Sequence, residues 1–337
     1  MIASDAMFSD RKSPLVIRPA DSERDLSSFA RGHKEALEEL LWSHGALLFR
    51  GFDVASAGSF SAFADAISRD RIDYLYRSTP RTAVGGMVFT ASEYPPDEEI
   101  PLHNENAYQR SWPRKLAFCC LEPAASGGET PIADVQRVTA SIPSHTLEKF
   151  ETHGVEYIRH YHQGIDIPWQ TVFQTCDKDV AQSYCQQHGI DSEWLEGDVF
   201  RTSQVCQGTT TSPATGETIF FNQAHLFHST SLGERRAQML RKVLGDRLPR
   251  HARFGDKSEI GIADLEAVRR SFQENSIAFP WCASDVLLLD NMQWAHGRRP
   301  YSGSRRVLAV LLDNHPATRL RESEASAESL EQGAEDQ

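Results

Sequence analysis

Two side chains that could bind one metal ion lie two residues apart in the segment Ile100-Pro-Leu-His-Asn-Glu105. In an extended strand, residues i and i+2 project from the same face, so His103 and Glu105 could reach an ion together. His296 follows an apolar strand-like run and precedes a glycine, and it could add a third ligand from a strand end that faces a pocket. We therefore predict that these three residues bind a metal.

The ligand types narrow the choice of metal without fixing it. Two histidines and one carboxylate on one face of an octahedron leave three positions open. Non-haem iron(II) needs these positions to hold a chelating cosubstrate and O2 at once. Zinc hydrolases can use a similar set with water in the open position.

A candidate anion site accompanies the metal ligands. Thr130 follows a Gly-Gly turn, and Arg306 lies ten residues after His296 at the start of the last apolar strand. Arginine pairs with a carboxylate through two parallel hydrogen bonds, so Arg306 and Thr130 could hold the far end of a metal-chelating dicarboxylate cosubstrate. Arg305 alternates to the opposite face, and we predict that it is solvated.

These side chains need a rigid frame, and the apolar pattern predicts mostly strands. Strand-like runs begin at Gly86, Lys115, Thr218, Val286 and Arg306, with helical stretches between them. Strands at uneven spacing with helical insertions favour an antiparallel β core decorated by helices. Regular strand–helix alternation and a GxGxxG motif are absent, which argues against a dinucleotide-binding fold.

The 337 residues are predicted to form one domain over 15–318, with a flexible N-terminus over 1–14 and a disordered acidic tail over 319–337. The formal net charge of −12 argues against nucleic acid as a partner. No apolar run approaches the roughly 18 residues of a membrane span. Six cysteines without a CxxC pair favour reduced thiols in a cytoplasmic protein.

Two other features compete for a functional role. His160 and His162 have the i, i+2 spacing of a cupin-type ligand pair, but no downstream anion clamp is organised around them. The predicted helix 234–244 carries a cluster of basic side chains. Such a cluster is ordinarily a solvated face, although it could also dock an acidic carrier domain.

Several motifs occur in the order typical of one enzyme family. The chain resembles the taurine dioxygenase family, and within it the clavaminate synthase-like branch, which includes amino-acid hydroxylases of peptide-antibiotic pathways. The resemblance covers roughly residues 40 to 315, through His103-Asn-Glu105, Trp112-Pro113, Gly127-Gly-Glu-Thr-Pro131, Thr215-Gly-Glu-Thr-Ile-Phe-Phe-Asn-Gln223, Asp285-Val-Leu-Leu-Leu-Asp-Asn291 and Ala295-His-Gly-Arg298.

The resemblance implies a double-stranded β-helix (jelly-roll) core with iron near one mouth. It implies iron(II) on His103, Glu105 and His296, and 2-oxoglutarate on Thr130 and Arg306. Glu in place of the more widespread Asp matches the clavaminate synthase-like branch. Related halogenases have a small residue there, so Glu105 argues against halogenation.

His225 matches a substrate-facing aromatic position of the family, and both a pocket role and plain packing stay open for it. His228 is expected to be structural.

The expected function is an iron(II)-, 2-oxoglutarate- and O2-dependent dioxygenase. It would hydroxylate an unactivated C–H bond of an amino acid or amino-acid-derived intermediate, free or on a carrier protein, in specialised metabolite biosynthesis. Desaturation or cyclisation would need only a different fate for the substrate radical. The rival classes are a zinc-dependent hydrolase, which would have no use for Arg306, and a non-catalytic binding protein, against which the intact triad argues.

Overall fold

The computed structural model describes residues 2–8, 11–20, 23–91 and 93–317. Within them the strands are Ser4–Phe8 (β1), Arg11–Ile17 (β2), Ala46–Phe49 (β3), Ala83–Gly85 (β4), Val88–Thr90 (β5), Ile100–His103 (β6), Ser111–Glu122 (β7), Ser126–Gly127 (β8), Ile132–Asp134 (β9), Val155–Tyr161 (β10), Asp191–Leu195 (β11), Val199–Cys206 (β12), Thr209–Thr211 (β13), Thr218–Phe220 (β14), Arg250–Phe254 (β15), Ser276–Ile277 (β16), Val286–Asp290 (β17), Trp294–Arg298 (β18), Tyr301–Ser302 (β19) and Arg306–Pro316 (β20).

The helices are Leu26–Gly32 (α1), Lys34–His44 (α2), Ala57–Ile67 (α3), Val135–Ser141 (α4), Ser144–His153 (α5), Trp169–Val172 (α6), Lys178–Gln187 (α7), Ala224–Phe227 (α8), Glu234–Leu244 (α9) and Ile262–Glu274 (α10), with a short 3-10 helix at Ser229–Leu232. Side chains cap several of them. The Asp134 carboxylate accepts hydrogen bonds from two backbone amides at the start of α4, which is the turn role expected of a short polar residue before a helix.

The largest sheet has the strand order β1-β2-β3-β17-β7-β20-β5-β4. Its long central strands β7, β17 and β20 pair antiparallel and are apolar on both faces. One face packs against α1, α2 and α3, and the other faces the interior of the domain. Strands that are covered on both sides have continuous apolar sequences. The sequence therefore predicted these strands, but it did not predict which side chains face which side of the sheet.

A second sheet, β16-β9-β18-β6, faces the large sheet. Between the two sheets lies an apolar cluster that includes Phe118 from β7, Ile132 from β9 and Trp294 from β18. Two facing, mainly antiparallel sheets with helices outside form the double-stranded β-helix, and this confirms the predicted fold class. A further sheet, β11-β12-β10-β15, packs with α4, α5, α7 and α10 around another apolar cluster.

The N-terminus differs from the prediction of a flexible segment over residues 1–14. Ser4 to Phe8 form β1, which pairs antiparallel with β2, and β2 pairs in parallel with β3. The apolar run Leu15-Val-Ile17 is buried and places β2 on the large sheet, so β2 offers an edge with which β1 can pair.

The predicted acidic tail over 319–337 lies outside the described residues. No helix among the described residues is long and apolar enough to cross a membrane, and all six cysteines are free thiols.

Candidate metal centre and anion site

The structure brings together the three side chains that the sequence singled out as metal ligands. One ligand atom from each of His103, Glu105 and His296 lies within 4.8 Å of the other two. The two imidazole centroids are 4.5 Å apart, and His296 Nε2 is 3.5 Å from Glu105 Oε2. Glu105 and His296 are buried, each 5 % exposed or less, and His103 is half-buried.

Strand pairing accounts for the closeness of the two histidines. His103 is the last residue of β6 and lies directly opposite His296 of β18. Glu105 is not in the strand, as the i, i+2 argument assumed, but in the turn that follows it. The pairing is irregular at Gly297, where a Cβ would lie 2.6 Å from the Ile100 carbonyl oxygen. Glycine therefore permits the close approach of the two strands at the site.

The turn that carries Glu105 is held by a buried asparagine that sequence reasoning did not identify. Asn291 Oδ1 accepts from the Glu105 amide at 2.8 Å, and Asn291 Nδ2 donates to the carbonyls of Glu105 and Pro113 at 3.0 and 2.9 Å. Asn104 Nδ2 in turn donates to the Asn291 carbonyl at 2.6 Å. Both asparagine side chains are fully buried, so these bonds fix the backbone from which the carboxylate projects.

The electrostatics keep the ligands in the protonation state that binds metal. His103 Nδ1 lies 2.8 Å from the Pro101 carbonyl, which selects the Nδ1–H tautomer and leaves Nε2 free as a donor to a metal. Burial, followed by the nearby His296, lowers the pKa of His103 to about 4. Burial alone would raise the pKa of Glu105, but Arg81 and His296 outweigh it and hold that pKa well below its usual range.

Arg81 is the charged neighbour that the sequence did not reveal. Its Nη2 donates to Glu105 Oε2 at 2.9 Å, and its guanidinium lies 4.1 Å above the Tyr74 ring. Both side chains of the ion pair are buried, and the Arg81 Nε has no hydrogen-bond partner among the described residues. Arg81 lies in an irregular segment between α3 and β4, and no spacing in the sequence pointed to it.

Two imidazoles and a carboxylate that already lie close together suit a divalent first-row metal. His296 Nε2 is the ring nitrogen that faces Glu105, and two imidazoles with one carboxylate are a donor set that binds non-haem iron(II). Three protein ligands from one side leave positions for further ligands on the cavity side. The residues present therefore fit an iron(II) centre.

The ligands open onto a cavity whose walls are partly apolar and partly cationic. It is lined by Thr79, Arg81, Ala91, Ile100, His103, Phe118, Thr130, His296, Gly297, Arg298 and Arg305.

Thr130 is on the cavity wall, as the sequence predicted for the residue after the Gly-Gly turn. It is 4 % exposed, and its Oγ1 accepts a hydrogen bond from Trp281 Nε1 at 3.2 Å. Because one lone pair of the hydroxyl is engaged by Trp281, its proton can point to an anion in the cavity.

The arginine prediction needs correction. Arg306, predicted to face the cavity, is exposed, whereas Arg305, predicted to be solvated, lines the cavity. Arg305 Nε donates to the Gly128 carbonyl at 2.9 Å, and burial, followed by the neighbouring charge of Arg298, lowers the pKa of Arg305 to about 10.

The alternation along β20 explains the exchange. Val307, Ala309 and Leu311 belong to the cluster between the two sheets, whereas Leu308 and Val310 pack on the helix side. Odd-numbered residues therefore face the site, and Arg305 continues that row. Because both faces of β20 are apolar, the sequence carries no signal that separates the inner row from the outer one.

The Gly-Gly turn is packed against Arg305. Gly128 has a φ of +74°, and a Cβ there would lie 3.0 Å from Arg305 Cδ. Gly127 has a φ of +69°, and its Cβ would lie 2.2 Å from the Pro300 carbonyl oxygen. Only glycine tolerates both the backbone conformation and these contacts. The Gly127-Gly128 turn therefore lets the Arg305 side chain pack directly against the backbone of the loop.

The other histidines named from the sequence lie outside this cavity. His225 Nε2 bonds to the Leu102 carbonyl at 2.9 Å, and its ring stacks on Phe272 at 4.9 Å. These contacts favour packing over the pocket role, which stays a prediction. His160 Nδ1 and His162 Nε2 bond to backbone carbonyls at 2.9 and 2.6 Å, and their ring centroids are 6.2 Å apart. These two occupy ordinary hydrogen-bonding positions.

A double-stranded β-helix with two histidines, a carboxylate and an adjacent cationic cavity defines the class of non-haem iron oxygenases. Comparison with known proteins gives the family. Residues 11–312 match the taurine catabolism dioxygenase TauD, TfdA family, and the chain belongs to it. It is an iron(II)- and 2-oxoglutarate-dependent dioxygenase that uses O2, as the sequence predicted.

Two curated relatives are similar over nearly the whole chain. The dapdiamide synthesis protein DdaC of Enterobacter agglomerans is 37% identical over 299 residues, which cover 88% of this chain and 90% of that protein. A clavaminate synthase-like protein of Arabidopsis thaliana is 32% identical over 323 residues, covering 90% and 94%.

Two solved structures are similar in fold. PvcB of Pseudomonas aeruginosa, an Fe, alpha-ketoglutarate dependent oxygenase from an isonitrile synthetic pathway, superposes with a TM-score of 0.53 at 15% identity and covers 92% of this chain and 91% of its own. AAD-2 in complex with Mn(II) and N-oxalylglycine has a TM-score of 0.56 at 13% identity, covering 94% and 100%.

Proposed function

We propose that this enzyme hydroxylates an unactivated C–H bond of a carboxylate-bearing amino acid or amino-acid-derived intermediate. His103, Glu105 and His296 hold the iron(II), and Arg305 with Thr130 binds the far carboxylate of 2-oxoglutarate. Iron(II) with 2-oxoglutarate and O2 supplies the oxidising chemistry, while the protein supplies binding, orientation and exclusion of water. The relative named for dapdiamide synthesis supports a role in the biosynthesis of an amino-acid-derived natural product.

The observation that carries the proposal is the surplus of positive charge in the cavity. Arg81, Arg298 and Arg305 all line it, and neither Arg298 nor Arg305 forms an ion pair with a described residue. Arg298 instead donates to the carbonyls of Tyr94, Pro95 and Glu98. With iron(II) bound, the five positive charges exceed the three of Glu105 and a 2-oxoglutarate dianion. A substrate carboxylate would offset part of this surplus.

The orientation of that substrate would follow from Arg81. Its Nε is buried without a partner, and it lies one hydrogen bond from a metal ligand. A substrate carboxylate near this guanidinium would be held beside the metal, within reach of the oxidising centre. Phe118 and Ile100 supply apolar wall on the same cavity and help to exclude water.

Hydroxylation is favoured over halogenation because Glu105 occupies the position that a halide would need. Its carboxylate is fixed both by Arg81 and by the Asn291 bonds to its backbone.

The experiment is a substrate screen with coupled readouts. Succinate release that depends on O2, iron(II) and 2-oxoglutarate tests the cofactor assignment, and a product that gains one oxygen atom tests hydroxylation. Amino acids should stimulate succinate release more than their amides or methyl esters. His103→Ala should abolish both signals. A product that loses two hydrogens, or stimulation that is equal for acids and esters, would refute the finer proposal.

The carrier-bound form of the substrate is part of the same proposal. On α9, Met239 is 63% exposed and Val243 is 77% exposed. Residues 234–247 carry five basic side chains against two acidic ones, on a chain of net charge −12. Arg236 pairs with Glu98, whose carbonyl accepts from the cavity residue Arg298, so this face adjoins the cavity rim. An acidic carrier domain fits such a basic and apolar face.

Thioester-bound amino acids on an acidic carrier domain test this part directly. They should give higher kcat/KM than the free amino acids, and Met239→Glu should reduce the carrier-bound rate while leaving the rate with free amino acid unchanged. Equal effects of Met239→Glu on both substrates would refute carrier docking at α9.

The six free thiols are consistent with a reducing compartment, and we assign the enzyme to the cytoplasm on that ground.

A further inference from the structure

A second group of metal-binding side chains lies outside the iron site. His228, between α8 and the 3-10 helix, His251 of β15 and Glu259 of the loop after β15 each place one ligand atom within 4.8 Å of the other two. None of the three lines the cavity of the iron site. We propose that His228, His251 and Glu259 bind a zinc ion, with water as the fourth ligand.

The geometry of this group closely matches that of the iron ligands. The imidazole centroids of His228 and His251 are 5.0 Å apart with planes inclined by 44°, against 4.5 Å and 47° for His103 and His296. His251 Nε2 lies 3.3 Å from Glu259 Oε2. Tetrahedral zinc with bonds of about 2.0–2.2 Å separates its ligand atoms by roughly 3.3 Å, so this pair already has the required spacing.

Each histidine is presented as a ligand rather than as a satisfied core residue. His228 is 6 % exposed, and its Nδ1 lies 3.0 Å from Thr230 Oγ1 and accepts a hydrogen bond from the Thr230 amide at 3.3 Å. Both contacts are made by Nδ1, so Nε2 has no hydrogen bond to a described residue. Thr230 Oγ1 is itself fixed by Arg269 at 2.8 Å, so the ring is oriented from behind. The buried Nδ1 of His251 has no partner in the described part of the chain.

The charge state also suits a metal. Burial, followed by His251, lowers the pKa of His228 to about 4, and burial lowers the pKa of His251. A neutral imidazole is the form that donates an electron pair to zinc. Glu259 is 68% exposed and supplies the carboxylate from a loop that can close onto the ion, while its exposure leaves room for a water ligand.

Zinc stoichiometry of the metal-free full-length chain tests the site. Wild-type protein should bind two zinc ions, one at each group, and His251→Ala should bind one. His103→Ala should also bind one, and the double variant none. The matched control is His153→Ala, which removes the histidine of another surface ion pair, with Nδ1 3.2 Å from Asp256 Oδ2 but without a second imidazole in the group. It should still bind two.

Glu259→Gln covers the case in which His251→Ala fails to fold, because Glu259 is an exposed side chain. It should weaken the second zinc ion at least tenfold and leave the first unchanged. Zinc should also raise the thermal unfolding temperature of His103→Ala, in which only the second group remains, but not that of the double variant. A single zinc ion in the wild type, or two in His251→Ala, overturns the proposal. Neither result bears on the dioxygenase assignment, which rests on the other group.

Discussion

The arginine that we propose to bind 2-oxoglutarate gives the sharpest prediction. Arg305 lines the cavity and Arg306, the next residue, is exposed. We expect Arg305→Gln to weaken 2-oxoglutarate binding and Arg306→Gln to leave it nearly unchanged. The two substitutions remove the same charge from adjacent residues, one just before β20 and one at its first position, so each is the control for the other.

The size of the effect follows from the environment of each side chain. Removing one partner of a buried, hydrogen-bonded charge pair costs about 2–5 kcal/mol. Because Arg305 is only partly buried, we take about 2–4 kcal/mol, which is roughly a 30-fold to 1,000-fold loss of affinity. An exposed arginine contributes at most about 1 kcal/mol, so Arg306→Gln should change affinity by less than about fivefold. Arg305→Lys keeps the positive charge but loses the two parallel hydrogen bonds of the guanidinium, so its affinity for 2-oxoglutarate should lie between those of the wild type and Arg305→Gln.

The assay is an anaerobic titration of the iron(II)-loaded protein with 2-oxoglutarate, followed by the weak visible absorption band of the chelate. Thermal unfolding of each variant controls for loss of the Arg305 bond to the Gly128 carbonyl. If Arg306→Gln weakens binding and Arg305→Gln does not, the assignment of the inner row of β20 is wrong.

Three further changes follow from contacts around the site and the core. Asn291→Ala removes three buried hydrogen bonds, two of them to the backbone of Glu105. It should lower the free energy of unfolding by about 3–5 kcal/mol, as measured by denaturant unfolding. It should also weaken iron(II) binding, as measured by metal titration. Gly128→Ala, at a φ of +74°, should raise the KM for 2-oxoglutarate more than it lowers the thermal unfolding temperature. The carboxylate of Asp166 holds Arg250 through two hydrogen bonds of 2.8 Å; burial raises its pKa, but Arg250 outweighs burial and lowers it. The contribution of this ion pair to the free energy of unfolding is therefore present above the unfolded carboxyl pKa of about 4. It is lost as the pH falls through the lower pKa of the folded state. Asp166→Asn should cost about 2–3 kcal/mol at pH 7 and progressively less below pH 4; a pH-independent difference would contradict this.

The sequence singled out three side chains that the structure brings together, because their spacing along the chain is partly local. His103 and Glu105 are two residues apart, and His296 follows the apolar strand β17 closely. The reasoning that placed both first ligands on one strand was nevertheless incorrect, since Glu105 is in a turn. It succeeded because residues i and i+2 stay close in space in either conformation, which makes short spacing a robust signal even when the local structure is misjudged.

The remaining residues of the site depend on contacts between distant segments. Asn291 acts through the backbone of a residue 186 positions away. Arg81 reaches Glu105 from a loop without a periodic pattern. A buried asparagine or arginine can be recognised only when the packing of the two segments is known, because both residue types are mostly found on the surface.

Arg305 and Arg306 show the same limit within a single strand. Polar alternation normally reveals which residues of a strand face inward, but β20 is covered by helices on one side and by the second sheet on the other, so Val307 to Leu312 are apolar without interruption. The inward row becomes identifiable only from its neighbours, through Val307 and Ala309 in the cluster between the sheets. The number of residues between His296 and the arginine pair therefore predicts that one of the pair lies near the anion site. Which of the two side chains enters the site depends on the register of β20, because that strand is covered on both faces.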